Sequence, residues 1–468
     1  MIENRRATAL TILVLMYSLL LPAFSSAADA DISAELEANI LQRIENNYLA
    51  GLSIGIVDAE GYRYYGYGEV ALGDNTKPDK DTVYEIGSIS KTFTAILLAD
   101  MVQKGELDLN DPVQDLLPDT VQIPQRNGVE ISLAHLSTHH SSLPRMPDNF
   151  SPANSLNPYA DYTVQKMYDF LSSYTLTKNI GSRGEYSNLG VGLLGHALAL
   201  KAGTSYEELV SERILRPLSM DSTAIAFSDS MLERLAPAYR YDSGRLTEVE
   251  NWDIPIFAGA GALRSTAEDM LKYLAVNIGL QDSALDYAMD ITQQPRESFG
   301  AGNGKIGLGW LINGEGEKSY HWHNGGTGGY RTYAGYSLTN KRGVVVLANS
   351  TSAPDDIGHH LLNDESPLSN QKPYQERVAI VISEAELLNL AGSYQLAPQF
   401  IIETTVENGR FYLQATGQPK FEIFAESPTE FFLMVVDAQL TFDLDESGAA
   451  TGLTLHQGGQ NIPGEKID

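Results

Sequence analysis

The stretch Tyr84-Glu85-Ile86-Gly87-Ser88-Ile89-Ser90-Lys91-Thr92-Phe93 constrains this chain more than any other, because it reads as a strand-like approach, a glycine and the opening of a helix. Three residues make just under one helical turn, so Ser88 and Lys91 rise from one face and their functional atoms can meet. A serine hydroxyl attacks well only when a base takes its proton, and a partly desolvated lysine has its pKa lowered enough to help. The first turn of a helix also offers unpaired backbone N–H groups that can hold an oxyanion beside the serine. Nucleophile, proton acceptor and oxyanion donor then share one turn. Phe93, Ile96, Leu97 and Met101 follow at helical spacing, and Lys104-Gly105 supplies a basic last turn and a glycine stop. A second S-x-x-K, Ser369-Asn370-Gln371-Lys372, lies in a polar stretch without that context.

A chain of 468 residues is long enough for two domains or more. Asn4-Arg5-Arg6, the apolar run 7–24 and Ser25-Ser26-Ala27-Ala28 read as a secretory signal peptide over residues 1–28, and Pro22 with the small residues after it favours cleavage over an uncleaved anchor. No stable membrane anchor is then expected after cleavage. The absence of cysteine excludes a thiol mechanism and suits a bacterial periplasm or the medium. A formal net charge of −28 argues against nucleic acid as partner, because phosphate binding needs clustered Lys and Arg.

Residues 33–49 read as an amphipathic helix, and 52–57 with 62–67 as a β-hairpin closed at Asp58 to Gly61. Gly51-Leu52-Ser53-Ile54-Gly55 fits G-x-S-x-G, but that nucleophile needs a sharp strand-to-helix turn, and Ser53 lies inside a strand. Residues 141–179, rich in Ser, Asn, Pro and Tyr, read as an irregular lid or binding loop. Helices are expected over 189–201, from the capping box Thr204 to Glu207 toward Leu215, and from Ser265-Thr266 to Ile278. Strands are expected over 307–312, 319–324, 332–337 and 343–349. Beyond a boundary near residue 380, runs at 401–406, 411–414, 421–424, 431–435, 440–444 and 453–456 alternate with turns, the pattern of a small sandwich or barrel.

Two further motifs join Ser88 and Lys91. Tyr186-Ser187-Asn188 immediately precedes a helix; a tyrosine beside a lysine ammonium has its phenolate favoured and can act as general base, while Asn188 can hold a substrate carbonyl or orient Lys91. His323-Asn324-Gly325-Gly326 sits on a late strand, where its glycines let an extended substrate approach the edge. His321 with His323, and the pairs His139-His140 and His359-His360, raise a metal reading, but there is no H-E-x-x-H and no Cys ligand, so neither metal nor other cofactor is expected.

With these motifs in this order, the chain resembles the serine β-lactamase and penicillin-binding-protein superfamily, in its class C β-lactamase, D-Ala-D-Ala carboxypeptidase and family VIII esterase branch. The resemblance covers about residues 33–360. It implies an α/β (α+β) fold of β-lactamase/transpeptidase type, an antiparallel sheet plus a helical subdomain, over residues 29–365. A linker at 366–380 and a small antiparallel β-barrel-like, lipocalin-like domain at 381–468 would follow, the latter expected as a packing or dimerisation module. It implies Ser88 as the acylated nucleophile, Lys91 as its proton-transfer partner and Tyr186 as base, with Asn188 in support. His323 stands where the family commonly has the lysine of K-T-G, Asn324 and Gly325 complete the triplet, and the N–H of Gly326 would join that of Ser88 as oxyanion donor. A histidine pairs fully with a substrate carboxylate only when protonated, which favours a peptidase, amidase or esterase over a dedicated β-lactamase. Ser137-Thr138-His139-His140-Ser141-Ser142-Leu143-Pro144 resembles the family's T-H-T-S-G-L-P stretch without its glycine. The expected activity is hydrolysis of D-amino-acyl peptides, peptidoglycan stem peptides among them, or of β-lactams; short-chain or aryl esters are the alternative, and a penicillin-binding sensor that does not turn over is an alternative of another kind.

Overall fold

The structure, a computed structural model, describes residues 31–300, 303–397, 400–436, 438–457 and 460–467. The signal-peptide segment lies outside the described residues.

Ser33 caps helix α1 (Ala34–Glu45), whose Leu36 and Ile40 are buried. The hairpin forms as β1 (Gly51–Asp58) and β2 (Gly61–Gly68) in full register from Gly51↔Gly68 to Asp58↔Gly61. Six further strands complete one antiparallel sheet: β3 (Glu297–Ser298), β4 (Lys305–Ile306), β5 (Leu311–Asn313), β6 (Tyr320–Gly326), β7 (Arg331–Ser337) and β8 (Arg342–Ala348). Their order is β2-β1-β8-β7-β6-β5-β4-β3. β1 is buried along its whole length because both faces are covered. Leu52, Ile54 and Ile56 meet α1 and the helix Asp355–Leu362, whereas Val57 joins the larger core on the other face. Such two-sided burial is why its residues are apolar or small almost without alternation.

The larger core surrounds helix α2 (Ser90–Gln103), which packs against α3 (Asn188–Ala202) and other helices. The sequence spacing predicts an amphipathic helix; instead every residue from Ser90 to Met101 is buried. Its polar groups are satisfied inside: the Thr94 hydroxyl meets Tyr206 and the Gly259 carbonyl, and Asp100 takes Lys104 and Arg213. The helix ends where Gly105 turns left-handed.

Three local readings change. Of the run expected as one strand over 307–312 only residues 311 and 312 pair, in β5, because Gly309 adopts φ +71 and its N–H turns to the Ser137 carbonyl; β4 lies just before the run. The capping box at Thr204 is displaced by one residue: Ser205 caps, its hydroxyl accepting the Glu208 N–H. Within 141–179, Thr163 caps a ten-residue helix, Val164–Ser173, that buries Met167, Phe170 and Leu171.

The C-terminal strands close into an eight-stranded antiparallel barrel, Gly392–Ala397 through Gln460–Lys466, each paired with its sequence neighbour and the last with the first. Tyr394, Phe411, Phe431 and Phe442 fill its interior with the helix residues Leu387 and Leu390. The polar stretch before it is strapped to α1: Asn39 and Arg43 donate to the Ser369 carbonyl and Tyr48 to that of Lys372. The second S-x-x-K is thus part of this strap. Among the described residues no helix is long and apolar enough to cross a membrane.

Candidate active site

Ser88 lies in a short 3-10 turn, Gly87–Ile89, one step ahead of α2. The turn is pinned on three sides. The Ile86 N–H donates to the Leu263 carbonyl at 3.0 Å, the Thr332 hydroxyl donates to the Ile86 carbonyl at 3.0 Å, and the Ser90 hydroxyl donates to the Gly87 carbonyl at 2.7 Å. Gly87 takes φ +51, and a Cβ there would stand 2.6 Å from the Gly326 nitrogen. Only a glycine lets the turn and β6 come so close, and this contact brings the turn that carries Ser88 against the Gly326 backbone.

Lys91 is 1% exposed, with Nζ 2.9 Å from the Ser88 Oγ and donating to the Ala260 carbonyl at 2.6 Å. Burial first, and the Arg145 charge second, hold its pKa well below that of an ordinary lysine. Ala260 comes from the Gly/Ala-rich turn 257–262, so a backbone carbonyl, not Asn188, orients the amine.

Tyr186 is half-buried, with its ring 4.9 Å beneath the Lys91 Nζ. Burial pushes its phenol up, and the neighbouring Ser88 hydroxyl and the Arg145 charge only partly oppose this. The sequence reading expects a phenolate beside an ammonium; the buried site instead shifts both partners toward their uncharged forms. His139 packs against Tyr186 with ring centroids 4.4 Å apart, and its Nδ1 accepts the Ser187 N–H. Ser187 in turn caps α3, which places Asn188 in its first turn. Asn188 lines the cleft, and its Oδ1 is buried without a hydrogen-bond partner among the described residues.

His323 does not reach the cleft. It is 1% exposed, its Nδ1–H donates to the Asn324 carbonyl at 2.6 Å, and burial followed by the Lys91 charge lowers its pKa to about 3. Asn324, Gly325 and Gly326 do line the cleft. Asn324 Nδ2 donates to Asp355 at 2.6 Å. Because β5 meets β6 only at Tyr320, His321 and Trp322, the edge of β6 from His323 to Gly326 has no strand partner on that side among the described residues, beside Ser88. Such an edge can accept an extended chain.

The cleft over Ser88 has a volume of about 470 Å³. Residues unremarked in the sequence form much of its wall. Tyr159 and Trp252 pack at 5.3 Å, and Trp252 is fixed by its N–H on the buried Glu85 carboxylate at 2.9 Å. The 141–179 segment is therefore a packed wall, with Tyr162 stacked on Phe257 at 5.0 Å. Arg145 and Arg331 also face the cleft. Arg145 follows directly on Leu143-Pro144, so its place beside a family motif was the one available signal. In that motif Ser142 stands for the glycine and adopts φ +61, its hydroxyl donating to the Asn179 carbonyl at 2.9 Å.

The other candidates lie elsewhere. Ser53 is buried in β1, bonded to the Asp79 carbonyl and the Tyr84 hydroxyl. His321 meets the Gln293 carbonyl, His140 that of Thr138 and His360 that of Ser366, while His359 packs against Tyr333.

The comparisons with known proteins agree with this arrangement. The profile of the Beta-lactamase family matches residues 36–365, and that of a domain of unknown function (DUF3471) matches residues 376–466. The chain is 30% identical over 339 residues to the D-alanyl-D-alanine-carboxypeptidase/endopeptidase AmpH of Escherichia coli K12, covering 69% of this chain and 86% of that one. It is 26% identical over 440 residues to penicillin-binding protein 4* of Bacillus subtilis, covering 86% of this chain and 93% of that one. The fold is shared with the octameric penicillin-binding protein homologue from Pyrococcus abyssi, at a TM-score of 0.62 and 24% identity, over 92% of this chain and 99% of that one. A serine and a buried amine in contact at the floor of a cleft, within a match of this extent, place the chain in the Beta-lactamase family as a serine hydrolase.

Proposed function

We propose that this protein is exported and hydrolyses D-amino-acyl peptides or β-lactams through an acyl-enzyme on Ser88. The observation that carries the reading is the 2.9 Å contact between Lys91 Nζ and Ser88 Oγ, with the lysine buried and, among the described residues, bonded otherwise only to a carbonyl. As Oγ attacks the substrate carbonyl carbon, Lys91 takes its proton. The oxyanion forms between the N–H groups of Ser88 and Gly326. When the C–N bond breaks, Tyr186 gives its phenol proton to the leaving amine and regains one from Lys91. Water then attacks the Ser88 ester, its proton returns through the same pair, and Oγ is released protonated. The open edge of β6 and Asn188 in the cleft lining suit a substrate with a peptide-like backbone.

The neutral His323 gives a specific reason to keep short-chain or aryl esters as the second reading, since it offers no cation to a carboxylate. Intact-protein mass spectrometry after brief exposure to a penicillin, with a nitrophenyl ester in parallel, separates these. An adduct on wild type that clears with drug hydrolysis, and is absent from Ser88→Ala, is the expected result. A lasting adduct without turnover means a sensor, fast turnover of the ester alone means an esterase, and full activity in Ser88→Ala removes the assignment.

A further inference from the structure

The chain as a whole is strongly acidic, at −28, yet the charged residues that line the cleft over Ser88 are two arginines and no carboxylate. Arg145 is exposed, and its guanidinium makes no hydrogen bond or ion pair with any described residue; it lies over the face of Tyr186 at 5.0 Å. Its backbone is nonetheless fixed, because the Arg145 carbonyl accepts the N–H groups of Asn188 and Leu189 at the start of α3. Arg331, at the start of β7, stands opposite Gly326 in the sheet register. Its Nη1 donates to the Thr327 and Tyr330 carbonyls, both at 2.9 Å, which leaves Nε and Nη2 without partners. A guanidinium with free donors in a fixed orientation binds carboxylates through paired hydrogen bonds, and a cationic cleft in an acidic protein draws anions to that one place.

We infer that Arg145 and Arg331 hold an anionic group of the substrate, so that the favoured substrates are carboxylate-bearing acyl compounds although residue 323 supplies no cation. The inference rests on Ser88 acylation and adds to it where the substrate's charge is bound. Arginines keep their charge throughout the working range, but Asp355, pushed up to about 6 by burial, acts on Arg331, so the share of the preference carried by Arg331 weakens as Asp355 ionises while the share carried by Arg145 persists.

The test uses two nitrophenyl esters of equal chain length, the hemiglutarate, which carries a carboxylate, and the valerate, which does not. The readout is the ratio of their kcat/KM values in wild type, Arg145→Gln, Arg145→Lys and Arg331→Gln. The wild-type ratio favours the hemiglutarate, and each glutamine variant lowers the ratio by about 10- to 100-fold, the loss of a charged hydrogen bond. Arg145→Lys recovers part of it. Arg331 holds two carbonyls, so the exposed Arg145 is the decisive site should Arg331→Gln not fold. An unchanged ratio in Arg145→Gln overturns the inference, as does a preference that disappears between about pH 6 and pH 8, the behaviour of a histidine anchor. Labelling of Ser88 in the same samples separates the two readings: normal labelling with an unchanged ratio removes the anion site alone, and absent labelling removes the acyl-enzyme itself.

Discussion

Replacing Gly87 with alanine tests whether the close approach of the Ser88 turn to β6 sets the oxyanion geometry. Gly87 has φ +51, where an L-residue costs about 1–2 kcal/mol. Its new Cβ would lie 2.6 Å from the Gly326 nitrogen and 3.0 Å from the Gly326 oxygen, against 3.4 Å for ordinary contact, so turn and strand must part by about 0.8 Å. The atoms met are backbone and cannot swing aside. A displacement of about 1 Å in a catalytic geometry costs about 100-fold in rate. Gly105, just past the end of α2, is the control, because it has φ +70 but nothing within 4 Å of a Cβ. Gly105→Ala therefore pays the backbone strain alone and lowers stability by about 1–2 kcal/mol with normal acylation. Gly87→Ala is expected to lose a further 1–3 kcal/mol, roughly, from overpacking, and about 100-fold in the acylation rate. The rate is read from the pre-steady-state release of nitrophenol and stability from denaturant unfolding. If Gly87→Ala acylates within about threefold of Gly105→Ala, the contact with Gly326 does not position the oxyanion donors and the reasoning fails.

The lowered pKa of Lys91 makes acylation rise with pH, since the neutral amine is the form that takes the Ser88 proton; Lys91→Arg, fixed as a cation, is expected to lose at least about 100-fold. Stopped-flow acylation across pH checks this, and an arginine variant that acylates normally refutes it. Asp355 is pushed up to about 6 by burial, against which Asn324 and Arg331 act only in part. Its stabilising contribution is full below its unfolded pKa of 3.8 and is lost as pH rises through about 6, an effect of up to about 3 kcal/mol. Asp355→Asn is therefore expected to shrink the fall in unfolding free energy between acid and neutral pH, and an unaltered pH dependence counts against it. Ser142→Ala keeps the left-handed backbone and loses the bond to Asn179, a cost of about 1 kcal/mol, whereas Ser142→Gly loses the bond but relieves the strain and stays within about 0.5 kcal/mol of wild type. Denaturant midpoints of the two variants check the order, and the reverse order refutes it.

What the sequence made legible is what short-range geometry determines. The three-residue spacing of Ser88 and Lys91 already demands that their side chains meet, and the apolar run from Leu189 already puts Tyr186-Ser187-Asn188 at the head of a helix, though its cap at Ser187 was not read. The hairpin β1–β2 and six of the barrel strands follow from alternation between turns. The strands that close the barrel were not legible: Gly392–Ala397 and Gln460–Lys466 carry little alternation, with Pro463 and Gly464 in the latter, and pair across the full length of the domain. Nor was the break at Gly309, because its cause is the Ser137 carbonyl from a distant helix.

The change at position 323 shows why spacing alone misleads about charge. A histidine in place of lysine suggests a site with a weaker, pH-dependent cation, yet what decides its state is burial against Lys91, and His323 is neutral. The neighbouring lysine does not lean on residue 323 for its own state either; burial depresses Lys91 and the charge that adds to this is Arg145. Arg145 reaches the site because the bend after Pro144 is tied to the start of α3, and Arg331 because the β6–β7 register sets it opposite Gly326. Both placements depend on contacts between segments far apart in the chain, which no local pattern records. The positive charge of the cleft thus lies on its walls and not on the strand motif, while the proton-transfer pair proposed beneath Ser88 keeps the neutrality that lets an amine accept a proton.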